Sequence, residues 1–470
     1  MVKKLRLALP AAVAAALVAT SSAAAFTPTN TYYSKQWYLA QDRAFDAWPT
    51  ALPNLDPVKV ALIDSGVDCS LPDFANQIVA KKSFVGGDPC FDSQGHGTIV
   101  AGEIAGALNQ AGVVGLAYSA QLVVAKVVAP DGTIPLTAEA DAIRWAVQQG
   151  ARVINMSFGA VRDPANPALD TYSKVEAQAV AYAVKHKAIV VAAVGNSDEA
   201  YATPWPYASW PAALPHVIGV GALSRTGNVP DFSDEDPVYV DIAAPGTGIF
   251  STFPKLLTGA QSSCEPQGYT DCASGDYRHP EGTSFAAPQV SAAAAVLLGL
   301  NRALTPSQVT TILERRTDDV SASTGCAACP SGRDMFSGWG SLDVEKAVAA
   351  VNAGQLPPSD RFEPNDTVAQ AYRLRGQRPI AGATLDYWDD PADVYRVKLA
   401  RGQRLLARVR ARPTVDLILL SGPKARLAQS ASGQKQHLAY RVRQTGWYYI
   451  KVSVARPGAG RYTLRLDESS

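Results

Sequence analysis

The sequence predicts an α/β domain with a parallel, doubly wound sheet and helices on both faces, followed by a small all-β sandwich domain. Short, nearly continuous apolar runs alternate with helical periodicity in residues 58–246, which is typical of parallel strands buried on both faces. Residues 406–466 instead alternate apolar and polar side chains, which is typical of antiparallel strands with one solvated face. With 470 residues, 47% of them hydrophobic and 18% charged, the chain has enough apolar material for two cores.

The first 25 residues have the pattern of a secretory signal peptide. Basic side chains at positions 3, 4 and 6 precede an apolar run from Leu7 to about Val18, and Ala23–Ala25 offers small residues for cleavage. A membrane anchor is the alternative, but such an anchor needs roughly 20 apolar residues, and Pro10 interrupts this shorter run. We therefore expect a secreted protein, extracellular or periplasmic, with no integral membrane segment in the mature chain.

Residues 26–353 should form the α/β domain. Five strands are predicted, at Val58–Asp64, Gln121–Val128, Arg152–Phe158, Ala188–Val194 and Val217–Ala222. Five helices are predicted, at Thr98–Leu108, Thr137–Gln149, Thr171–Lys187, Ser284–Leu300 and Asp343–Asn352. Ligands bind outside the carboxyl ends of such strands, so polar residues at the ends of the apolar runs are the candidate site residues.

Residues 354–360, Gly-Gln-Leu-Pro-Pro-Ser-Asp, have the composition of a linker, and residues 361–470 should form the sandwich. Alternating runs lie at Leu406–Arg410, Tyr440–Arg443, Trp447–Val454 and Tyr462–Leu466. Residues 360–470 hold 20 basic and 10 acidic side chains, although the whole chain has a net charge of +1. The overall balance argues against nucleic-acid binding, and the asymmetry indicates two units with separate surfaces.

Six cysteines in an exported chain predict three disulfides, for which the sequence alone allows 15 pairings. Proximity along the chain favours Cys69 with Cys90, Cys264 with Cys272, and Cys326 with Cys329. The last two form a C-x-x-C motif that could instead be a redox pair or half of a zinc site. The sequence has no second C-x-x-C motif and no nearby pair of histidines to support those alternatives.

Three local sequences place a reactive side chain at the end of an apolar run or in a glycine-rich turn. Asp64 ends a predicted strand, His96 lies between two glycines before a helix, and Ser284 begins the helix that runs to Leu300. Individually they could be a turn former, a surface imidazole and a helix cap. Together they provide the carboxylate, imidazole and hydroxyl that nucleophilic acyl transfer requires, because the hydroxyl needs a neighbouring base to remove its proton.

In the order Asp, His, Ser, the motifs D-S-G, G-H-G-T and G-T-S-F-A-A-P resemble those of the subtilisin-like serine proteases. The resemblance covers roughly residues 33–351 and includes the segments Ala192–Asn196, Ala243–Gly246 and Gly338–Asp343. It implies a serine endopeptidase with Asp64 as orienting group, His96 as general base and acid, and Ser284 as nucleophile, and no cofactor in catalysis. The alternative is a catalytically silent peptide-binding protein of the same fold.

The resemblance also implies an oxyanion hole and a peptide-binding cleft. Asn196 would donate its side-chain amide to the oxyanion together with the backbone N–H of Ser284. The substrate-pairing strand would be Ser157, Phe158 and Gly159, and the wall of the main specificity pocket would be Ala192, Ala193 and Val194. A pocket floor near Ala208 and Ser209 carries no charge in the sequence, which favours an apolar or broad preference.

Relatives often hold structural calcium, and Gln36, Asp73 and Asn109 lie at plausible matching positions, although one carboxylate with two amides is a sparse ligand set. Two further departures stand out. Ile99 occupies a position where the family often has a second histidine, and we expect no loss of chemistry there. Few residues lie between the expected cleavage site and the first core strand, from which we expect folding without a separate propeptide.

The tail resembles a bacterial pre-peptidase C-terminal domain in three segments, Glu363–Asp366, Asp390–Val397 and Thr445–Ile450. Its basic surplus could hold the enzyme near anionic cell-surface polymers, or it could be the solvated face of a soluble spacer. We expect protein or peptide substrates, no nucleic-acid partner and a monomer.

Overall fold

The computed structural model describes residues 26–48, 55–197, 200–260, 270–271, 277–375 and 379–469. The predicted signal peptide and the predicted pair of Cys264 and Cys272 lie outside these residues. The other two disulfides are present, Cys69–Cys90 and Cys326–Cys329. The two cysteines of the C-x-x-C motif are therefore bonded to each other.

Seven parallel strands form the central sheet, in the order β2-β3-β1-β4-β5-β6-β7. Their bounds are β1 (Lys59–Asp64), β2 (Ile78–Ser83), β3 (Gln121–Lys126), β4 (Val153–Met156), β5 (Ile189–Ala193), β6 (Val217–Leu223) and β7 (Ile242–Pro245). The chain runs from β1 outward to one edge and then returns to β4 on the other side of β1. The strand order therefore reverses beside β1, where a crevice for ligands is expected.

Helices cover both faces of this sheet, and two apolar clusters fill the layers between them. The helices are α1 (Trp37–Gln41), α2 (Ala44–Ala47), α3 (His96–Ala105), α4 (Leu136–Gln148), α5 (Lys174–Lys185), α6 (Lys255–Ala260), α7 (Thr283–Leu300), α8 (Pro306–Arg315) and α9 (Val344–Asn352). Two single 3-10 turns lie at Tyr33–Lys35 and Pro72–Phe74. α3 and α7 pack on one face and α4 and α5 on the other, as the alternating pattern predicted.

Side-chain caps explain where several helices begin. Ser173 accepts from the backbone N–H of Glu176 at the start of α5, and Asp343 does the same for Lys346 at the start of α9. Thr305 and Gln308 form a reciprocal capping box at α8. α3 begins at His96, two residues before the predicted start. Its N-cap is Gly95, which has a left-handed backbone conformation with a φ of 86°.

α7 is long and apolar enough to cross a bilayer. It is the one such helix among the described residues, and 89% of its 18-residue apolar stretch is buried inside the domain. Its side chains contact the central strands and α3, which agrees with its assignment as a core helix.

The C-terminal region is all β, and its longest strand, β14 (Arg404–Leu420), pairs with four other strands. The first half of β14 pairs with β16 (Gly433–Arg441) and β18 (Ala459–Ser469), and the second half pairs with β15 (Arg426–Gln429) and β17 (Gly446–Val454). The remaining strands are β11 (Tyr372–Arg373), β12 (Ile380–Asp386) and β13 (Ala392–Leu399). These strands enclose a single apolar core. Three of the four alternating runs predicted from the sequence lie within one strand, and the fourth, Tyr440–Arg443, extends two residues beyond the end of β16. Short strands β8 (Ser251–Thr252), β9 (Thr270–Asp271) and β10 (Tyr277–Pro280) form a small separate sheet before α7.

Polar and aromatic contacts join the C-terminal region to the α/β domain. His216 Nε2 lies 2.8 Å from Asp366 Oδ2, and Arg315 Nη2 lies 2.8 Å from Asp386 Oδ2. The rings of Trp339 and Trp388 meet edge to face, with centroids 5.0 Å apart. The two regions therefore share a packed interface in addition to the connecting segment.

Candidate active site

Asp64 and His96 form the centre of the candidate site. Asp64 is the last residue of β1 and its side chain is almost fully buried. Its Oδ1 lies 2.8 Å from His96 Nδ1 and also accepts the backbone N–H of Ser65 at 2.7 Å. A carboxylate held in this way fixes the imidazole ring and keeps its proton on Nδ1, which leaves Nε2 as the basic atom.

The first turn of α3 can lie against the end of β1 because Gly97 has no side chain. A Cβ atom at Gly97 would lie 2.2 Å from the carbonyl oxygen of Gly66 and 3.0 Å from Asp64 Oδ1. Any larger residue would push α3 away from β1 and separate His96 from Asp64. The close packing of α3 against β1 therefore requires a glycine directly after His96.

Asp92 is a site residue that the sequence analysis missed. It is buried, and its carboxylate accepts from Ser65 Oγ (2.8 Å), from the backbone N–H of Gly95 (2.8 Å) and from both the N–H and hydroxyl of Thr98 (2.9 and 2.7 Å). Burial raises the pKa of Asp92, although these hydrogen bonds oppose the increase. An aspartate shortly before a helix is a common capping signal, which could have identified it.

Ser284 is the second residue of α7, and Asn196 follows β5. The backbone N–H of Thr283 donates to Asn196 Oδ1 at 3.0 Å, and the Thr283 hydroxyl donates to the same oxygen at 3.1 Å. A Cβ atom built at Gly282 would lie 3.1 Å from Ser284 Oγ and 3.5 Å from Asn196 Nδ2. Because its oxygen is engaged by Thr283, the amide N–H₂ of Asn196 is directed towards the side where Ser284 lies.

The starts of α3 and α7 are adjacent. The ring of His96 packs against the ring of Phe285, the residue directly after Ser284, with centroids 5.2 Å apart. The fold thus brings together four residues that are 220 positions apart at the extremes, Asp64, His96, Asn196 and Ser284. The amino end of α7 also adds the favourable end of its dipole for a developing negative charge.

The predicted cleft residues lie around Ser209. The backbone N–H of Ser209 donates to the carbonyl of Val194 at 2.6 Å, and a Cβ atom at Gly159 would lie 2.8 Å from Ser209 Cβ. Ala192, Ala193 and Val194 are buried, as are Ala208 and Ser209. The segment that begins at Ser157 and Phe158 continues to Ala160, which forms an isolated antiparallel bridge with Trp210.

Asn155 is a second residue that sequence reasoning missed. It is fully buried in β4, and its amide donates to Ser157 Oγ at 2.9 Å. Its Oδ1 accepts from the hydroxyl of Ser291 in α7 at 2.8 Å. A single amide therefore joins the predicted substrate-pairing segment to the helix that carries Ser284.

The predicted calcium ligands are engaged in hydrogen bonds. Gln36 Oε1 accepts the N–H of Val114 at 2.9 Å, and its Nε2 donates to the carbonyl of the same residue at 2.7 Å. Asn109 Oδ1 accepts the N–H of Ala111, and Asp73 Oδ1 accepts the N–H of Val113. These oxygens point at N–H groups, so the set does not fit a calcium ion in this arrangement.

Elsewhere in the described chain, three groups of side chains have potential ligand atoms within 4.8 Å of one another: His216, Glu363 and Asp366; Asp241, Glu314 and Asp389; and Asp360, Glu363 and Asp393. Each group includes residues of the C-terminal region. Acidic groups of this kind are common without an ion, and none of the three contains Asp64 or His96.

Comparison with known proteins gives a consistent assignment. A family model described as Peptidase_S8, the subtilase family, matches residues 56–340. The chain is 33% identical over 292 residues to subtilisin DY of Bacillus licheniformis, a match that covers 62% of this chain and 90% of that one. It is 32% identical to a thermophilic serine proteinase of Bacillus sp. (strain AK1), with 59% of this chain and 61% of the relative covered.

Two further matches bear on structure and location. The chain is 35% identical to the major intracellular serine protease of Bacillus subtilis (strain 168), with 55% and 76% covered. A solved structure of proteases from Pseudoalteromonas arctica PAMC 21717 is similar with a TM-score of 0.55 and 25% identity, over 69% of this chain and 99% of that chain. The relative from Bacillus subtilis is thus one whose name places it inside the cell.

The parallel sheet, the paired Asp64 and His96, and the match over residues 56–340 agree with one another. Proteases of this family act on peptides or proteins and need no cofactor for catalysis, and calcium binding is common among them. This chain belongs to the subtilase family of serine endopeptidases.

Proposed function

We propose that this chain is a secreted serine endopeptidase that hydrolyses peptide bonds through an acyl-enzyme on Ser284. His96 Nε2 removes the proton from Ser284 Oγ as that oxygen attacks the scissile carbonyl. His96 then gives the proton to the leaving amine. A water molecule next attacks the acyl-enzyme, with His96 again taking a proton and then returning it to Ser284 Oγ as the acyl group leaves. The observation that carries this proposal is the 2.8 Å contact between His96 Nδ1 and Asp64 Oδ1.

Asp64 orients the ring of His96 and stabilises the imidazolium that forms on it. The oxyanion of the tetrahedral intermediate accepts hydrogen bonds from Asn196 Nδ2 and from the backbone N–H of Ser284. The two hydrogen bonds from Thr283 to Asn196 Oδ1 support this role, because they orient the amide before the substrate binds. Such preorganised donors need no rearrangement at the moment of reaction.

An extended peptide would pair with the backbone of Ser157, Phe158 and Gly159, with its principal side chain against Ala192, Ala193 and Val194. Main-chain pairing of this kind binds a peptide without selecting its sequence. The apolar wall, and the absence of a charged side chain among its three residues, support an apolar or broad side-chain preference.

The domain organisation is part of the same proposal. Residues 1–25 form the signal peptide, 26–353 the catalytic domain, 354–360 the linker and 361–470 a pre-peptidase C-terminal-like domain. The two disulfides support an oxidising compartment, since such bonds are rare in the cytosol. The C-terminal domain, with its surplus of basic side chains, would hold a monomeric enzyme near anionic polymers of the cell surface.

A serine-directed fluorophosphonate probe tests the chemistry. We expect one equivalent of label, recovered on Ser284 by peptide mapping, with loss of peptidase activity in proportion to labelling. Ser284→Ala should take up no label, and Ser331→Ala, which changes an exposed serine outside the site, should still be labelled. A folded protein that cleaves no peptide and takes up no probe would instead be the silent peptide-binding protein.

A further inference from the structure

Three carbonyl oxygens of the loop that follows α3 converge on one nitrogen atom. Asn30 is 2% exposed, and its Nδ2 lies 2.9 Å from the carbonyl of Ala107, 2.6 Å from that of Ala111 and 2.8 Å from that of Val113. Positive φ angles at Gln110 (71°) and Gly112 (51°) fold the loop so that these carbonyls point inward. The residue at the centre of this arrangement was not among the sites predicted from the sequence.

Convergent backbone carbonyls are an arrangement that proteins commonly use to hold a hard cation. Calcium takes six to eight oxygen ligands at about 2.3–2.6 Å, and carbonyls from one loop often contribute several of them. In this loop the atom at the centre is an amide nitrogen with two N–H groups shared among three carbonyls. The three distances are those of hydrogen bonds to nitrogen.

The segment around Asn30 also donates hydrogen bonds to further carbonyl groups of the loop. Thr31 Oγ1 donates to the carbonyl of Gln110 at 3.1 Å, and the N–H of Tyr32 donates to the carbonyl of Gly112 at 3.0 Å. Residues 30–32 therefore provide donors for five loop carbonyls, at positions 107 and 110–113. The amides of Gln36 and Asn109 are also engaged in hydrogen bonds. The oxygen ligands that the family would use for calcium therefore already have hydrogen-bond partners in this loop.

We propose that the Asn30 side-chain amide takes the place of a calcium ion in this loop, and that Asn30→Asp would turn the same carbonyls into a calcium site. Calcium binding is common among subtilases, whereas here a neutral donor holds the carbonyls together. A carboxylate at position 30 would instead add a charged oxygen to the three carbonyls, near Asp73. Four converging oxygens repel one another unless a cation lies between them.

The orientation of the Asn30 amide determines whether this loop is held by the side chain alone or by an ion. With Nδ2 towards the carbonyls the loop is held without an ion. With Oδ1 towards them, Asn30 would itself be a ligand of a resident ion. Removal of the side chain distinguishes these situations, because only in the second does its effect depend on calcium.

The test is thermal unfolding of the full-length chain carrying Ser284→Ala, which prevents self-cleavage, in excess chelator and in millimolar calcium. Asn30→Ala should lower the Tm by several degrees and by the same amount in both solutions. Asn30→Asp should lower the Tm at least as much in chelator, recover most of the loss in calcium, and bind one more calcium per chain than the parent by equilibrium dialysis. Any calcium bound by the acidic groups of the C-terminal region is common to all variants and cancels.

Asn228→Asp is the matched control, since it makes the same substitution at an exposed side chain outside this loop. It should gain no calcium dependence. If Asn30→Ala lowers the Tm in calcium only, Asn30 is a ligand of a resident ion and the proposal is wrong. It is equally wrong if Asn30→Asp binds no additional calcium and remains destabilised in its presence.

Discussion

Asp64 Oδ1 and His96 Nδ1 lie 2.8 Å apart at the junction of β1 and α3, although 32 residues separate them in the chain. The contact depends on Gly97, whose missing side chain lets the helix approach the strand, and on Asp92, which holds the first turn of that helix. The geometry of the candidate site therefore depends on how one helix begins.

Substitution of Asp64 by asparagine should remove catalysis while the fold persists. The amide would favour the wrong tautomer of His96, and we expect kcat to fall about 10⁴-fold with little change in KM. Steady-state hydrolysis of a chromogenic peptide measures both constants. The exposed Asp131→Asn serves as the control and should retain parental activity, and a parental kcat in Asp64→Asn would contradict the assigned role.

Asn196→Ala should lower kcat about 10²- to 10³-fold, because one donor to the oxyanion is lost. KM should change little, since the donor acts on the transition state more than on the bound substrate. The same peptide assay measures this, alongside Asn228→Ala, an exposed asparagine remote from the site. A mainly raised KM with kcat intact would point to a substrate-binding role instead.

Asp92→Ala should reduce both stability and activity, because it leaves the hydroxyls of Ser65 and Thr98 and three backbone N–H groups without their shared acceptor. Loss of a buried, charge-assisted network of this kind costs about 3 kcal/mol of unfolding free energy. Denaturant unfolding checks the stability. Asp92→Asn keeps the shape and part of the acceptor set, so it should recover some of both properties; equal loss in the two variants would argue against a role through hydrogen bonding.

Stability should fall as the pH rises from 5 to 8, partly because of Glu139 and Glu176. Burial raises the pKa of Glu139 to about 9, helped by the charge of Glu176, and burial raises the pKa of Glu176 to about 7. Both values lie above those of the unfolded chain, so the folded state binds more protons in this pH range and loses stability as they dissociate. Glu139→Gln stays neutral, and its Tm should therefore decline less between pH 5 and pH 8 than that of the parent.

Asp141→Asn, on the exposed side of the same helix, is the control for that measurement and should follow the parent at both pH values. Differential scanning calorimetry at the two pH values gives the comparison. An unchanged pH dependence in Glu139→Gln would show that this pair does not titrate as its burial implies.

The sequence by itself predicted five of the seven strands of the parallel sheet, five of the nine helices in the described residues, and the candidate reactive residues. Continuous apolar runs indicate buried parallel strands, alternating runs indicate solvated antiparallel ones, and the motifs around Asp64, His96 and Ser284 indicate the candidate reactive groups, since all of these are local properties of the chain. The order of the strands and the docking of the C-terminal region through His216 and Arg315 depend on contacts between distant segments.

Only the tertiary structure decided which polar groups serve as partners. Asp92, Asn155 and Asn30 carry no distinctive motif, and each matters because of hydrogen bonds made to residues elsewhere in the fold. Gln36 and Asn109 show the reverse, because their residue types suit a metal while their amides are bound to the backbone. An amide has both a donor and an acceptor end, and the surrounding chain determines which end faces which partner.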